Sequence, residues 1–570
     1  MRYESVVKKQ DAAVSEQMQD QVMDNTRQDY GGYFSPSAGF AGPSHVGNAA
    51  YLMNLGLCYL MPGSRFYEVP ETLDRILLAI AFQKRCQRPS GFIDIPQTNF
   101  DSPPDTGFVL QQLGGLAGIA AASKAAGAEE IETALKPYLI SSALAVAGGG
   151  FHTPNHRWVV ASGLSLVHAL YPDARLQAGI DAYLAEGIDL NADGEYSERS
   201  AGGYNAVCNR SLILMAEALG RPELLDFVRR NLHNMLDLMH ADWTVITSLS
   251  RRQDRGRRAV PTQVADSLFY MAHKEGKDRI CAGADALLNR GGDRNTWLVY
   301  WLARRPEWQN QALKPGQPLD SFARHMSASG VWRVRRGKLS ATIATGVEET
   351  FFLKYGAVDL ASVRFFAPYF AGAKFTATSL DVSGNTAVLR LKSDFLLPQL
   401  PGYWMPLGRP VAWEDLPHKI LGERELKPRP EIEIALTVEE VADGFDLAFR
   451  TEGGMPAVPF QVECLFLTPG QVETQQTSFP ASGGATLLLK NGYLTYRCGS
   501  DAVTIGPGFH GHRNTFAGDG DGFRVLMTAW TPVDRRLEIR CGRWSEAQGP
   551  CPAVGGPAGL SGEKTAGSEL

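Results

Sequence analysis

The chain has 570 residues, too many for one hydrophobic core, so at least two domains are expected. Hydrophobic residues make up 44% and charged residues 21%, the balance of an ordinary globular protein. The formal net charge is −5, so no basic field points to nucleic acid or to an anionic membrane, and neither is expected as a partner.

The first twenty residues are polar and charged and lack an apolar signal-peptide core. No run of about 18 apolar residues exists to span a bilayer. A cytoplasmic protein is the expectation, with the periplasm as the alternative if a leader has been trimmed. The eight cysteines are scattered, with no CxxC pair and no metal-ligand spacing. They read as buried thiols, and neither a metal nor a cofactor is expected. Glycine, at 59 residues, favours many tight turns and a large β component.

From about residue 8 to 305 the apolar spacing is helical. After an N-terminal helix, the spacing predicts helices at 46–59, 70–83, 107–126, 131–147, 158–170, 175–186, 200–219 and 222–239. Three more follow at 261–273, 278–289 and 294–303. About twelve helices with short breaks pair into hairpins, and such hairpins can close into an (α/α) toroid. Near residue 325 the apolar period falls from 3.6 to 2. Strands are predicted at 330–337, 339–345, 374–382, 387–392, 431–438, 445–450 and 460–467, then at 485–489, 493–497, 523–530 and 536–541. Their density suits a large antiparallel β-sandwich. The expected class is therefore α+β and multidomain: a helical toroid over 1–325, a β-sandwich over 326–555 and a disordered tail over 556–570.

Two short segments carry the candidate chemistry. One holds His152, Asn155, His156, Arg157 and Trp158; the other runs from Asn191 through Glu195, Glu198, Arg199, Gly202 and Gly203 to Tyr204. Both lie at predicted helix starts, so both can share one rim of a ring. An amide, an imidazole and a phenol suit β-elimination of a uronic acid glycoside. That reaction needs the C5 carboxylate neutralised, the C5 proton taken and the leaving oxygen protonated. Asn155 suits the first task, and it equally suits a helix N-cap. His156 is a candidate base or donor. Tyr204 is a candidate acid or base, with Arg199 about a turn and a half earlier to favour a phenolate. Asp189, Asn191, Asp193 and Gly194 imitate the start of a calcium loop, but Ser200 stands where the bidentate glutamate belongs, so a turn is the better reading.

A basic loop with Arg251, Arg252, Gln253, Asp254, Arg255, Arg257 and Arg258 offers guanidinium groups to a carboxylate. Asn99 and Asp105 mark a polar rim loop, with Asp105 or Thr106 as its capping residue. His152, Trp158 and Glu198 complete the candidate substrate contacts. The competing reading is a glycoside hydrolase of toroid type using two carboxylates from Asp105, Asp193, Glu195 and Glu198. A binding or scaffold protein without activity is a third class.

The layout of helical half then strand-rich half resembles the heparinase II/III-like polysaccharide lyases. So does the pairing of Asn155 and His156 with Asp193, Gly194, Glu198, Arg199, Ser200 and Tyr204. The resemblance implies Asn155 for carboxylate neutralisation, Tyr204 for proton transfer and a uronate-containing polysaccharide or oligosaccharide as partner; a homo-oligomer is compatible with it. Family members often carry two histidines in a His-x-His-x-Asp-x-x-Ser pattern. Here the matching segment has Tyr355, Ala357, Asp359 and Ser362. Zinc is therefore not expected, and Tyr355 becomes a candidate base in place of the missing histidine.

Overall fold

The computed structural model describes residues 3–544, apart from 97, 369–372, 396–401, 416–420, 468 and 517–520. It divides into two compact units, Met1–Asp320 and Ser321–Leu570. The expected tail over 556–570 and Cys551 lie outside the described residues.

Among the described residues the first unit holds twelve α-helices. They are α1 (Tyr3–Gln17), α2 (Asn48–Leu60), α3 (Pro70–Arg85), α4 (Pro103–Ala122), α5 (Ala128–Ala147), α6 (Pro154–Leu170), α7 (Ala174–Ala185), α8 (Tyr204–Leu219), α9 (Leu224–Asp237), α10 (Ala265–Glu275), α11 (Asp278–Leu288) and α12 (Thr296–Arg304). Most connections are short, so sequential helices run antiparallel. The even-numbered helices also touch one another in a cycle: α2 on α4, α4 on α6, α6 on α8, α8 on α10, α10 on α12 and α12 back on α2. Thr296 on α12 seals the return by donating to Asn54 on α2 at 2.7 Å.

Sequence explains this intimacy. A Cβ on Gly163 of α6 would lie 2.9 Å from Leu110 Cβ of α4, so only glycine allows that approach. At the same level Gln111 of α4 donates to Ser162 of α6 at 2.6 Å and to Ser211 of α8 at 2.7 Å. All three side chains are buried, and each satisfies the others' polar atoms. Because alternate helices run the same way, α4, α6 and α8 bring their N-termini to one end of the unit.

Among the described residues the second unit holds one hydrogen-bonded network of 17 strands starting at Ser321 and a separate two-stranded pair, Gly402–Trp404 with Leu426–Pro428. Its strand pairings are antiparallel except that Thr486–Leu488 runs parallel to Phe523–Trp530. Alternation places Ile432, Ile434, Leu436 and Val438 in a single core with Phe365, Phe375, Phe449 and Phe460. Strands Ser321–Met326, Phe351–Tyr355, Val358–Ala367 and Asp501–Gly506 were not predicted from the period. Val358–Ala367 is buried at every position, and a register shift beside Ser362 breaks the alternation of its polar Asp359, Ser362 and Arg364 with apolar residues. Among the described residues Cys58, Cys86, Cys208, Cys281, Cys464 and Cys541 are free thiols. No described helix is long and apolar enough to cross a membrane.

Candidate active site

Thr153 precedes α6 in extended backbone, and Pro154 opens the helix with its φ already set. Asn155 is thus the second helical residue rather than the expected N-cap. Its side chain points inward and has no exposed surface. The amide nitrogen donates to Thr153 Oγ1 at 2.9 Å and to the Glu198 carboxylate at 2.9 and 3.1 Å. Glu198 is 5% exposed, and its Oε1 also lies 3.1 Å from Arg252 Nη1. Burial raises the Glu198 pKa, and the Asn155 hydrogen bond and the Arg252 charge oppose that rise.

Arg252 turns from Glu198 onto the ring of Tyr204. Its guanidinium carbon lies 4.3 Å from the ring centroid, a cation–π contact. Tyr204 opens α8, is partly exposed, and donates its hydroxyl to Gln253 Oε1 at 3.3 Å. The helix begins at Tyr204 rather than at the expected residue 200, because 200–203 form a turn built on Asp254. Asp254 accepts from Ser200 Oγ at 2.9 Å, from the Gly202 N–H at 3.0 Å and from Ser250 Oγ. Ser200 Oγ in turn accepts from the Tyr204 N–H at 3.0 Å. A Cβ on Gly202 would lie 2.8 Å from Asp254 Oδ2, which accounts for glycine there. Asp254 thus fixes Tyr204 and Arg252 together. It stood in the basic loop as the lone acid, a signal overlooked because arginines surround it.

His156, the third residue of α6, is partly buried. Its ring meets Phe108 edge-on at 5.8 Å and His152 at 6.2 Å. Burial lowers its pKa to about 4; the Asp105 charge opposes this, and His152, Arg252 and His45 reinforce it. The imidazole is therefore neutral at pH 7, with Nδ1 buried and unpartnered. His45, unremarked in the sequence, stacks on Phe108 at 4.4 Å and completes that wall. Asp105 is oriented by Asn99 Nδ2 at 2.9 Å and by Ser102 Oγ at 2.6 Å. Ser102, not Asp105 or Thr106, is the N-cap of α4, accepting from the Asp105 N–H.

Several expected contacts are corrected by geometry. Trp158 has no exposed surface, and its indole donates to Asp189 Oδ1 at 2.7 Å. It is a core anchor, not a platform for substrate. Arg199 adopts left-handed backbone (φ 55°) and pairs with Glu195 at 3.0 Å, so Arg252 and not Arg199 lies over the Tyr204 ring. Arg251 is exposed, and among the described residues it is tied to backbone, donating to the carbonyls of Glu198 and Ser197. Asp189 serves Trp158, Ser197 and Arg157, and no described cluster of acidic, histidine or cysteine side chains could hold a metal. Tyr355 belongs to the second unit, where it ends a strand and lines a cavity of about 530 Å³ with Cys541 and Asp443. Burial raises its pKa, the opposite of what a phenolate base needs.

No family model matches the chain, and no curated protein matches it. Solved structures do. A heparan sulfate lyase HepC mutant from Pedobacter heparinus aligns with a TM-score of 0.52 and 11% identity, over 88% of this chain and 76% of its own. A chondroitin AC lyase from Streptomyces coelicolor, in complex with chondroitin sulphate, gives 0.55 and 12% over 96% and 80%. A xanthan lyase from Paenibacillus gives 0.57 and 10% over 88% of this chain but 51% of its own. The chain shares the fold of these polysaccharide lyases.

Proposed function

We propose that the chain is a polysaccharide lyase that cleaves a uronate-containing glycan by β-elimination and leaves an unsaturated uronate end. The cycle of even-numbered helices is read as the inner ring of an (α/α) toroid, and the strand-rich unit as the β-sandwich that accompanies it. The observation that carries the reading is the relay Asn155–Glu198–Arg252–Tyr204, which fixes a cation against a partly exposed phenol at the helix N-terminal end. Positive charge there stabilises the charge that builds on a uronate carboxylate as C5 is deprotonated.

In this reading Tyr204 transfers the proton and Arg252, with Gln253 beside it, faces the uronate carboxylate. Neutral His156 is the alternative acceptor of the C5 proton. Asn155 acts through Glu198, because its amide donors are taken up there and it has no exposed surface. The C5–H bond breaks, its electron pair forms the C4=C5 double bond, and the C4–O bond breaks with a proton delivered to the leaving oxygen. Incubation with a panel of uronate glycans tests the reading: ultraviolet absorbance must grow as unsaturated ends form. New reducing ends without that absorbance would instead establish hydrolysis.

A further inference from the structure

Beyond α9 the chain makes a tight reversal, closed by the bridge between Met239 and Val245, that ends in a cavity of about 490 Å³. Trp243 stands at its mouth with φ 69°, a left-handed conformation that a bulky aromatic residue rarely adopts. One wall is a stripe of α11 and its end: Ala282, Asp285, Ala286 and Asn289, at spacings of three, four and seven. The two alanines leave the space, and Asp285 and Asn289 point polar groups at it. The other wall is the segment 313–318, locked against α11 because any Cβ on Gly316 would collide with the Asp278 carbonyl.

The chemistry is that of a sugar site. An aromatic ring offers its face to the C–H side of a pyranose, while a carboxylate and an amide suit its hydroxyls. The side chains of Asp285, Asn289 and Lys314 make no hydrogen bond or ion pair with any described residue, so their polar groups are available. Arg290 reaches over the Trp243 ring at 5.8 Å and with Lys314 makes the cavity net cationic, which suits an acidic sugar. The hairpin of α8 and α9 is antiparallel, so this cavity opens at the end of the unit where α8 begins with Tyr204.

We propose that the Trp243 cavity is an accessory saccharide site that holds a uronate-bearing stretch of the glycan away from the scissile bond. The choice of an acidic sugar rests on the lyase reading. The test compares wild type with Trp243→Gly, which suits the left-handed backbone and removes the ring, and with Arg290→Ala at an exposed position. Each is assayed by ultraviolet absorbance on heparan sulfate, chondroitin sulfate and their tetrasaccharides, and by affinity electrophoresis through gels holding each polymer. Both variants should keep tetrasaccharide kcat and lose polymer affinity by about 10²-fold or more, as expected when one of two linked contacts is removed. Polymer retardation equal to wild type in both variants overturns the site while leaving the lyase reading intact. Retardation of wild type without turnover, abolished by Trp243→Gly, supports the site and defeats the lyase reading. A wild type that neither retards nor turns over with any of these polymers overturns the site.

Discussion

The guanidinium carbon of Arg252 lies 4.3 Å from the centroid of the Tyr204 ring, and its Nη1 is held 3.1 Å from Glu198 Oε1. One arginine therefore joins a buried carboxylate to a partly exposed phenol. The buried end is fixed by Asn155 and the exposed end by Gln253, so the phenol cannot drift without disturbing the core. In the proposed lyase reading, that coupling holds the phenol where proton transfer needs it.

Tyr204→Phe keeps the ring under Arg252 and removes only the hydroxyl. We expect kcat to fall by about 10²–10⁴-fold, the usual range for a general acid or base, with KM little changed. Steady-state kinetics on the best glycan of the panel checks this. Near wild-type kcat would remove Tyr204 from the mechanism and direct attention to His156.

Asn155→Ala leaves the Glu198 carboxylate buried without its amide donor. Loss of a hydrogen bond to a buried charged group costs about 1–3 kcal/mol, so the melting temperature should drop. Glu198→Gln removes the charge that anchors Arg252 and should lower kcat. Because the two side chains share one network, the double variant should fall short of the sum by about 0.5–3 kcal/mol. Additive effects in a denaturation cycle would show that the two residues act independently.

The helical half was legible because its apolar residues recur with the α-helical period, and α3, α6 and α11 lie close to their predicted spans. Local signals placed ends less well. The predicted helix at 200 starts at 204 because Ser200 and Gly202 are claimed by Asp254, a partner about fifty residues away that no local pattern reveals. Asn155 lies at a helix start, as its sequence position suggests, but its orientation is not legible there. A polar residue there reads as a cap, and only the tertiary position of Glu198 turns it inward. Arg199 was favoured for proximity in sequence, whereas the cation over Tyr204 comes from a loop 48 residues later, at Arg252. In the β unit most long strands were visible through alternation, and Val358–Ala367, whose period is broken by a register shift beside Ser362, was not.

Trp158→Phe tests the reassignment of that residue to the core. The indole N–H to Asp189 is lost and a cavity remains where the larger ring was. A loss of roughly 1–3 kcal/mol in chemical denaturation is expected, with KM for the glycan unchanged. A raised KM with unaltered stability would restore Trp158 as a substrate contact.

His156 links the site to pH. Its ordinary pKa of 6.5 applies to the unfolded chain, and burial lowers the folded value to about 4. Between those values the unfolded chain binds a proton that the folded chain refuses. Stability therefore rises with pH through this window: the contribution is fully present above 6.5, declines as pH falls and is gone below about 4. His45, His233 and His273 are also lowered by burial and add to the same acid limb. The difference between wild type and His156→Gln isolates the His156 share. Thermal melts from pH 7.5 to 4 should show wild type losing stability more steeply than the variant, with the two curves parallel above pH 6.5. Parallel curves across the whole range would mean that His156 titrates alike folded and unfolded, and that the imidazole is not held neutral by its surroundings. The same neutrality predicts that His156 causes no loss of kcat/KM between pH 8 and 5, so an acid limb of activity with a midpoint near 6.5 that disappears in His156→Gln would contradict it.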